Sequence, residues 1–176
     1  NSYPHELSGG MRQRIMIGMA IICKPEIIIA DEPTTSLDVT VQSQIMDLFN
    51  EIKKEFNASI ILITHNMGIV QNICSQLMVM YGGKIMELGE TNKIFKKPLH
   101  PYTKGLLETV PRIDEDYKKL KTIKGNPINM INPPTGCIFR TRCTNPTNEC
   151  KNGKTYNALI EREENHWVDQ CCVNCN

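Results

Sequence analysis

Two adjacent carboxylates, Asp31 and Glu32, are the residues of this sequence best suited to chemistry. They follow the apolar run 27–30 (Ile-Ile-Ile-Ala), which is flanked by Pro25 and Pro33 and is too short for a helix. We interpret the run as a strand buried on both faces, as in a parallel sheet, where ligands bind at the carboxyl ends of the strands. Taken alone, the run fits equally well a strand that merely ends in an acidic turn.

The two carboxylates suit different tasks beside a phosphate group. Mg²⁺ prefers hard oxygen ligands next to substrate phosphates, and Asp31 is placed to hold it directly or through water. Glu32 points in another direction and is suited to orienting or deprotonating a water molecule. His65 follows a second apolar run, 59–64, and we expect it at the same edge of the sheet, although an isolated histidine there is more often structural.

A third candidate is Ser8-Gly9-Gly10, which precedes a run of helix-forming residues from Met11 to Cys23. Ser8 is a favourable helix N-cap, and the two glycines allow a ligand to approach the backbone closely. The unpaired N–H groups and the dipole at a helix N-terminus favour phosphate, so these residues are candidates for phosphate binding. By themselves they are more often a plain helix cap.

An α/β framework must position these residues. Beyond the helix over 11–23 and the strand over 27–30, the sequence predicts an amphipathic helix over 39–56, a strand over 59–64 and a short helix over 66–74. Two strands over 77–81 and 84–88, joined by Gly82-Gly83, come next. Two short helices within 91–110, broken at Pro98 and Pro101, and a linker over 111–134 complete the prediction. Alternating strands and helices with phosphate chemistry at the strand ends indicate an α/β nucleotide-binding fold with a mainly parallel sheet.

Charge and hydropathy argue against several classes of function. The 176 residues include 20 Lys and Arg against 19 Asp and Glu, so no basic excess indicates nucleic acid or an anionic membrane as a partner. No apolar stretch approaches the roughly 18 residues of a membrane span, and no signal peptide is recognisable. We therefore expect a soluble protein, or one peripheral to something that spans the membrane.

The eight cysteines are unevenly distributed. Only Cys23 and Cys74 precede residue 120, and the other six lie between Cys137 and Cys175. A secreted disulfide scaffold spreads its cysteines through the fold. The clustering at one end therefore indicates a local cysteine site in a reducing compartment.

Four motifs resemble, in order, those of ATP-binding cassette (ABC) ATPases. Residues 7–10 resemble the signature motif, 27–32 the Walker B strand, 36–38 (Ser-Leu-Asp) the D-loop, and His65 the switch histidine. Longer runs resemble the ATPases of dipeptide and oligopeptide importers, in particular their D-type subunit: residues 3–14, Ala-Asp-Glu-Pro-Thr-Thr at 30–35, His-Pro-Tyr-Thr at 100–103, and a tail from 133 through Cys150 that is similar to that family's C-terminal extension.

The resemblance implies a head-to-tail pair of nucleotide-binding domains with ATP between them. Ser8, Gly9 and Gly10 would contact the γ-phosphate of the ATP held by the second ABC ATPase subunit, and Asp38 would link the two sites. The pair would drive two transmembrane permease subunits, supplied by an extracytoplasmic substrate-binding protein. The resemblance implies a peripheral position on the cytoplasmic face of the inner membrane.

Within its own site, the resemblance assigns Mg²⁺ to Asp31, the attacking water to Glu32 and the γ-phosphate to His65. No G-x-x-x-x-G-K-[ST] phosphate loop occurs in the sequence. In the family this loop lies in a preceding half, so we interpret the chain as the C-terminal part of an ATPase and expect it not to hydrolyse ATP by itself. We predict three segments: residues 1–90 from the ATPase domain, a helical and linker segment over 91–134, and a cysteine-rich extension over 135–176.

The predicted function is ATP hydrolysis coupled to the uptake of di- or oligopeptides. Importers of nickel or other small solutes share this type of ATPase and remain an alternative, as does an inactive metal-binding remnant. The His-Pro-Tyr-Thr run and the cysteine tail argue against a cassette ATPase of DNA repair or translation.

The tail is predicted to bind a [4Fe–4S] cluster, and the resemblance to the importers' extension indicates the same. Cys137, Cys143 and Cys150 are spaced C-x5-C-x6-C, looser than the C-x2–4-C pairs of most zinc sites. The fourth ligand is open; Cys171 is favoured over Cys172. Zinc, or thiols that are unligated or disulfide-bonded, are the alternatives.

Overall fold

The computed structural model describes residues 2–110, 122–152 and 158–172. The chain forms two compact units, Asn1–Ile73 and Cys74–Asn176, called here the N-terminal and C-terminal units. The predicted α/β fold is confirmed. Within the described residues, no helix combines the length and the apolar character needed to cross a membrane. The segment boundaries predicted at residues 90 and 134 stay predictions.

The N-terminal unit alternates helices and strands. A short 3-10 helix (Pro4–Glu6) precedes α1 (Gly9–Ile21), β1 (Ile27–Asp31), α2 (Val39–Phe56), β2 (Ser59–Ile63) and α3 (Met67–Ile73). The strands pair in parallel, from Ile27 opposite Ser59 to Asp31 opposite Ile63, with α2 as the crossover. Both strands therefore end at the same edge of the sheet.

One face of this small sheet is covered by helices. Ile28 packs with Ile17 of α1 and Phe49 of α2 in a buried cluster. On the opposite face, Ile27 is 57% exposed and Ile29 is 67% exposed. The prediction that this strand is buried on both faces is therefore wrong. Helices α1 and α2 cover only the face of Ile28, and no element among the described residues buries the face of Ile27 and Ile29.

The C-terminal unit contains an antiparallel sheet. Its elements are β3 (Gln76–Tyr81), β4 (Lys84–Glu90), α4 (Thr91–Lys96), α5 (Pro101–Glu108), α6 (Asn148–Lys151), β5 (Leu159–Glu163) and β6 (His166–Asp169), with a 3-10 helix at Gln170–Cys172. The sheet order is β3-β4-β6-β5. Parallel pairing thus occurs between β1 and β2, whereas the four strands of this sheet pair antiparallel. Tight turns join β3 to β4 and β5 to β6, and such turns connect antiparallel strands.

Two local features of this unit follow from residue type. Gly82 and Gly83 have φ values of 54° and 74°, the left-handed conformation that a two-residue hairpin turn requires and that glycine adopts readily. Pro101 begins α5 and so does not interrupt a helix, since the first helical position needs no backbone N–H. In the predicted linker, residues 111–121 lie outside the described residues, and 122–134 contain no helix or strand.

The cysteine-rich extension contributes strands to the same sheet as the β3–β4 hairpin. β6 pairs with β4, with Leu88 opposite Trp167 and Gly89 opposite His166. A Cβ atom at Gly89 would lie 2.8 Å from the carbonyl oxygen of Asn165, so glycine is required for this close approach. The core between these elements contains Tyr81, Met86, Ile138, Phe139, Val168 and the cysteines 137, 150, 171 and 172.

Candidate functional site

The carboxyl ends of β1 and β2 bring Glu32 and His65 together. Oε1 of Glu32 lies 2.8 Å from Nδ1 of His65 and accepts the backbone N–H of His65 at 3.2 Å. The hydroxyl of Thr35 donates to Oε2 of Glu32 at 2.9 Å. The backbone N–H of Glu32 donates to the carbonyl of Ile63 at 2.9 Å, which continues the parallel pairing past the strand. The carboxylate is therefore fixed by residues from both strand ends.

The electrostatics of this pair favour an ionised carboxylate. The hydrogen bond from His65 lowers the pKa of Glu32, and a smaller effect of burial opposes it. The side chain of Glu32 is 34% exposed and that of His65 is 83% exposed, so water reaches both. Glu32 has a φ of 46°, a left-handed conformation that is uncommon for a residue with a Cβ and often occurs at functional sites. An oriented, ionised and accessible carboxylate can polarise a water molecule.

Asp31 is the last residue of β1, and its side chain is exposed. Exposed and buried positions alternate along β1, so Asp31 shares the face of Ile27 and Ile29. Its carboxylate is accessible to a metal ion.

Ser8, Gly9 and Gly10 lie at the N-terminus of α1. The Ser8 hydroxyl caps the helix, accepting the backbone N–H of Met11 at 3.3 Å. A Cβ atom at Gly10 would lie 2.7 Å from Cγ1 of Val41, and one at Gly9 would lie 3.1 Å from Cδ2 of Leu37. The glycines therefore allow the N-terminus of α1 to approach the segment that begins α2.

Asp38 is the N-cap of α2. Its Oδ1 accepts the backbone N–H of Val41 at 2.9 Å. The preceding loop is held by Gln42, whose side-chain amide donates to the carbonyl oxygens of Leu37 at 3.0 Å and Thr34 at 3.4 Å. The structure thus brings two helix N-termini together, each capped by a residue that the sequence singles out.

The cysteines of the extension form a second site inside the C-terminal unit. Cys137, Cys150, Cys171 and Cys172 are buried, and Cys143 is partly buried. Cys137 and Cys171 share a hydrogen bond, and the sulfurs of Cys171 and Cys172 are 3.8 Å apart. The structure therefore brings together the four predicted cluster ligands and the alternative, Cys172. Cys175 lies outside the described residues.

The environment of Cys137, Cys143 and Cys171 opposes ionisation of their thiols. The hydrogen bond to Cys171 and burial raise the pKa of Cys137 far above its usual range. For Cys171 the hydrogen bond with Cys137 lowers the pKa, but the hydrogen bond to Cys172, burial and the nearby Cys172 and Asp169 raise it, and the net pKa is raised. Burial also raises the pKa of Cys143. A bound metal reverses this preference, because a coordinating thiol is deprotonated.

The cysteines and the neighbouring His100 offer donors that could hold a metal. A single zinc ion bound by four thiolates holds their sulfurs about 3.8 Å apart, from Zn–S bonds of about 2.3 Å in tetrahedral geometry. In the described part of the chain, the one group of three or more ligand atoms all within 4.8 Å of one another is His100, Cys171 and Cys172. Within the described residues no three of Cys137, Cys143, Cys150 and Cys171 come this close, and these four thiols are the type of donor that a [4Fe–4S] cluster takes.

A fully buried polar cluster lies beside the cysteines, and the sequence reasoning missed its role. Oε1 of Glu87 lies 2.7 Å from Nε2 of His166 and accepts the N–H of Leu99 at 2.8 Å, while Oε2 accepts the N–H of His100 at 2.9 Å. Glu87 and both histidines are 0% exposed. Burial lowers the pKa of His100 to about 4, with a smaller contribution from Lys104. A carboxylate between the apolar residues Met86 and Leu88 was the available signal, since buried acids are almost always paired.

Comparisons with a family model and with solved structures first indicate the general class of protein. The family model described as "ABC transporter" matches residues 1–35. One similar solved structure is a metal-chelate type ABC transporter in an inward-facing conformation, with a TM-score of 0.51 and 29% identity, covering 58% of this chain and 39% of that chain. A second is cbiO1 from Clostridium perfringens, part of the ABC transporter complex cbiONQ, with a TM-score of 0.50 and 35% identity, covering 53% of this chain and 37% of that chain. The fold of an ABC ATPase is thereby confirmed.

Curated relatives of the chain are named for peptide transport. The family model "Oligopeptide/dipeptide transporter, C-terminal region" matches residues 86–150. The chain is 56% identical over 149 residues to OppD of Haemophilus influenzae, an oligopeptide transport ATP-binding protein, covering 85% of this chain and 46% of that protein. It is 50% identical over 167 residues to the dipeptide transport ATP-binding protein DppD of Bacillus subtilis, covering 95% and 49%. The predicted resemblance is confirmed, and the chain spans about half the length of these curated relatives.

Proposed function

We propose that this chain supplies the hydrolytic carboxylate and the partner-facing signature motif of an ATP-hydrolysing subunit in an ABC importer for di- or oligopeptides. The observation that carries the proposal is the contact between Glu32 and His65 at the ends of two parallel strands. The relatives named for oligopeptide and dipeptide transport support peptides over nickel or other small solutes as the imported substrate.

In this proposal, Glu32 polarises the water that attacks the γ-phosphate of ATP. The lowered pKa of Glu32 keeps the carboxylate ionised, and His65 and Thr35 hold its two oxygens in place. Asp31 would hold Mg²⁺, which neutralises charge on the phosphates. His65 also contacts the γ-phosphate. Phosphoryl transfer depends on positioning and charge neutralisation more than on covalent chemistry, which fits a site built of oriented charged groups.

The N-terminus of α1 serves the opposite subunit. Ser8, Gly9 and Gly10 would present backbone N–H groups to the γ-phosphate of the ATP bound by the partner. Asp38, which caps α2 beside these glycines, would link the two sites. The close approach of α1 to the start of α2 supports this arrangement, because a shift of either helix moves both capped ends.

The exposed face of the β1–β2 sheet is proposed to pack against the half of the ATPase domain that carries the phosphate loop. Ile27 and Ile29 on β1 and Ile61 and Ile63 on β2 are each about half or more exposed, at 57%, 67%, 51% and 48%. Curated relatives are about twice as long as this chain, which supports an occupant from the same polypeptide. The complete ATPase would bind its second subunit and two permease subunits on the cytoplasmic face of the membrane, and a substrate-binding protein would deliver the peptide outside.

We further propose that Cys137, Cys143, Cys150 and Cys171 hold a [4Fe–4S] cluster in the C-terminal unit. The burial of Cys137, Cys150 and Cys171 and the position of Cys143 against the same core support it. The hydroxyl of Thr147 lies 3.2 Å from the sulfur of Cys150, within reach to donate a hydrogen bond if that sulfur is a thiolate. The bound cluster would supply a structural or redox-responsive centre.

A chimera tests the ATPase proposal. This chain replaces the matching half of Bacillus subtilis DppD, so that the DppD half, in which the resemblance places the phosphate loop, precedes it. We expect Mg²⁺-dependent ATP hydrolysis by the chimera and none by the 176-residue chain. A chimera that folds and binds ATP but shows no turnover with its permease subunits contradicts the proposal; so does turnover by the chain alone that Glu32→Gln removes.

A further inference from the structure

His100 is a buried histidine to which neither the proposed hydrolysis nor the proposed cluster assigns a task. It is 0% exposed, and one of its ring nitrogens lies within 4.8 Å of the sulfurs of Cys171 and Cys172. Nδ1 accepts the backbone N–H of Tyr102 at 3.0 Å. Nε2 is buried and has no hydrogen-bond partner within the described residues.

The hydrogen bond at Nδ1 determines what Nε2 can do. A neutral imidazole that accepts at Nδ1 carries its hydrogen on Nε2, so Nε2 of His100 is a donor. Metal ligation through Nε2 would place the hydrogen on Nδ1, where it would face the N–H of Tyr102. A buried donor requires an acceptor, and a metal-bound sulfur on the adjacent cysteines would supply one.

The backbone and the ring of His100 are both held by neighbouring side chains. The N–H of His100 donates to Oε2 of Glu87 at 2.9 Å, and Glu87 also accepts the N–H of Leu99 and contacts His166. The ring packs against Phe139, with 5.8 Å between ring centroids. His100 therefore has little freedom to turn away from the sulfurs.

We propose that His100 is a positioning residue whose Nε2–H donates a hydrogen bond to the cluster-bound sulfur of Cys171 and thereby raises the reduction potential of the cluster. The inference rests on the proposed [4Fe–4S] cluster. One-electron reduction adds negative charge to the cluster without forming or breaking a covalent bond. The N–H donor stabilises the more negative reduced form preferentially, and hydrogen bonds to the sulfurs are among the factors that set such potentials.

The test measures the potential in the full chain. The wild-type chain, His100→Leu, His100→Gln and the control His5→Leu, at an exposed histidine of the N-terminal unit, are reconstituted anaerobically with iron and sulfide and titrated with dithionite. We expect His100→Leu to favour the oxidised cluster about tenfold, a fall of roughly 59 mV for one electron. His100→Gln, which keeps an N–H donor, should recover part of this shift, and His5→Leu should match wild type.

A spectroscopic measurement on the wild-type chain keeps the inference testable if the variants do not fold. With ¹⁵N-labelled histidine, the reduced paramagnetic cluster should show weak hyperfine coupling to one nitrogen. Strong coupling would make His100 a ligand and overturn the donor role, as would the absence of coupling or an unchanged potential in a cluster-loaded His100→Leu. A wild-type chain that takes up no cluster contradicts the proposed cluster itself, and this inference with it.

Discussion

At the edge of the N-terminal unit, Glu32 and His65 are accessible to water and are oriented by each other. In the C-terminal unit, four cysteines and the neighbouring Glu87, His100 and His166 are buried; the cysteines are Cys137, Cys150, Cys171 and Cys172. The first arrangement suits a site that a second subunit and a nucleotide must close. The second suits a group that is enclosed by one unit and reached by electrons but not by a bulky substrate. Exposure and burial therefore distinguish the proposed catalytic site from the proposed metal site within one chain.

The largest effect is expected at the exposed edge. In the chimera with DppD, Glu32→Gln should lower the rate of ATP hydrolysis by roughly 100-fold to 10,000-fold, because a neutral amide cannot accept a proton from the attacking water. ATP binding should persist. Glu26→Gln, at an exposed residue just before β1, serves as the matched control and should retain activity. Near-normal turnover by Glu32→Gln would move the catalytic role to another residue.

Loss of a buried thiol should prevent formation of the proposed cluster in the C-terminal unit. After anaerobic reconstitution, Cys137→Ser should lose most of its iron and sulfide and its broad visible absorption, because the remaining thiolates leave one iron without its ligand. Cys23→Ser, at an exposed cysteine of the N-terminal unit, should load normally. Comparing Cys171→Ser with Cys172→Ser identifies the fourth ligand. Colourless wild-type protein that contains stoichiometric zinc would contradict the cluster.

The enclosed polar cluster should contribute strongly to stability. In Glu87→Gln, the amide group can no longer accept hydrogen bonds at both oxygen positions, so a buried N–H of Leu99, His100 or His166 loses its partner. The free energy of unfolding should fall by about 2–3 kcal/mol in urea titrations. Glu90→Gln, which breaks a partly exposed pair with Lys93, should cost less than about 1 kcal/mol. Equal effects of the two variants would contradict the structural role of Glu87.

A substitution at Ser8 separates its capping role from contact with phosphate. Aspartate is as good an N-cap as serine, so Ser8→Asp should leave the free energy of unfolding almost unchanged. The added negative charge would face the γ-phosphate, and ATP hydrolysis by the chimera should fall at least about tenfold. Ser43→Asp, on the exposed surface of α2, provides the control. Unaltered hydrolysis by Ser8→Asp would leave Ser8 as a helix cap alone.

The smallest expected effect is the loss of stability at acidic pH through protonation of Glu32. The bond from His65 lowers the folded-state pKa of Glu32, so the ionised carboxylate stabilises the fold above the ordinary glutamate value of about 4.3. That contribution is lost as the pH falls through the lowered pKa, and solvent screening keeps it small. An NMR titration of the Glu32 carboxyl carbon should show the lowered pKa in wild type and a return towards the ordinary value in His65→Ala. An identical titration in both proteins would contradict the contact.

Local signals in the sequence were sufficient for most of the N-terminal unit. The predicted helix over 39–56 has the bounds of α2, because Asp38 supplies the N-cap and Asn57 adopts the left-handed conformation that ends the helix. Glu32 and His65 could be placed at one edge because parallel strands end together.

Non-local pairing explains what the sequence could not predict. The contact of Glu87 with His166 joins residues 79 positions apart and depends on β6 lying beside β4, which no local pattern encodes. The exposed face of β1 was mispredicted for a related reason: an apolar run indicates that a face can be buried but does not show whether another element covers it.

The position of β6 between β4 and β5 has a consequence for biosynthesis. Glu90 ends β4 and His166 begins β6, 76 positions later, so at about 5–20 residues per second the ribosome needs roughly 4–15 s to deliver the missing strand. During that interval one edge of β4 stays unpaired, a surface prone to pair with other nascent chains. Cys171 and Cys172 emerge after β6. Closure of the sheet therefore has to wait for β6, and loading of the proposed cluster has to wait for Cys171; a polypeptide cut short before residue 166 would achieve neither.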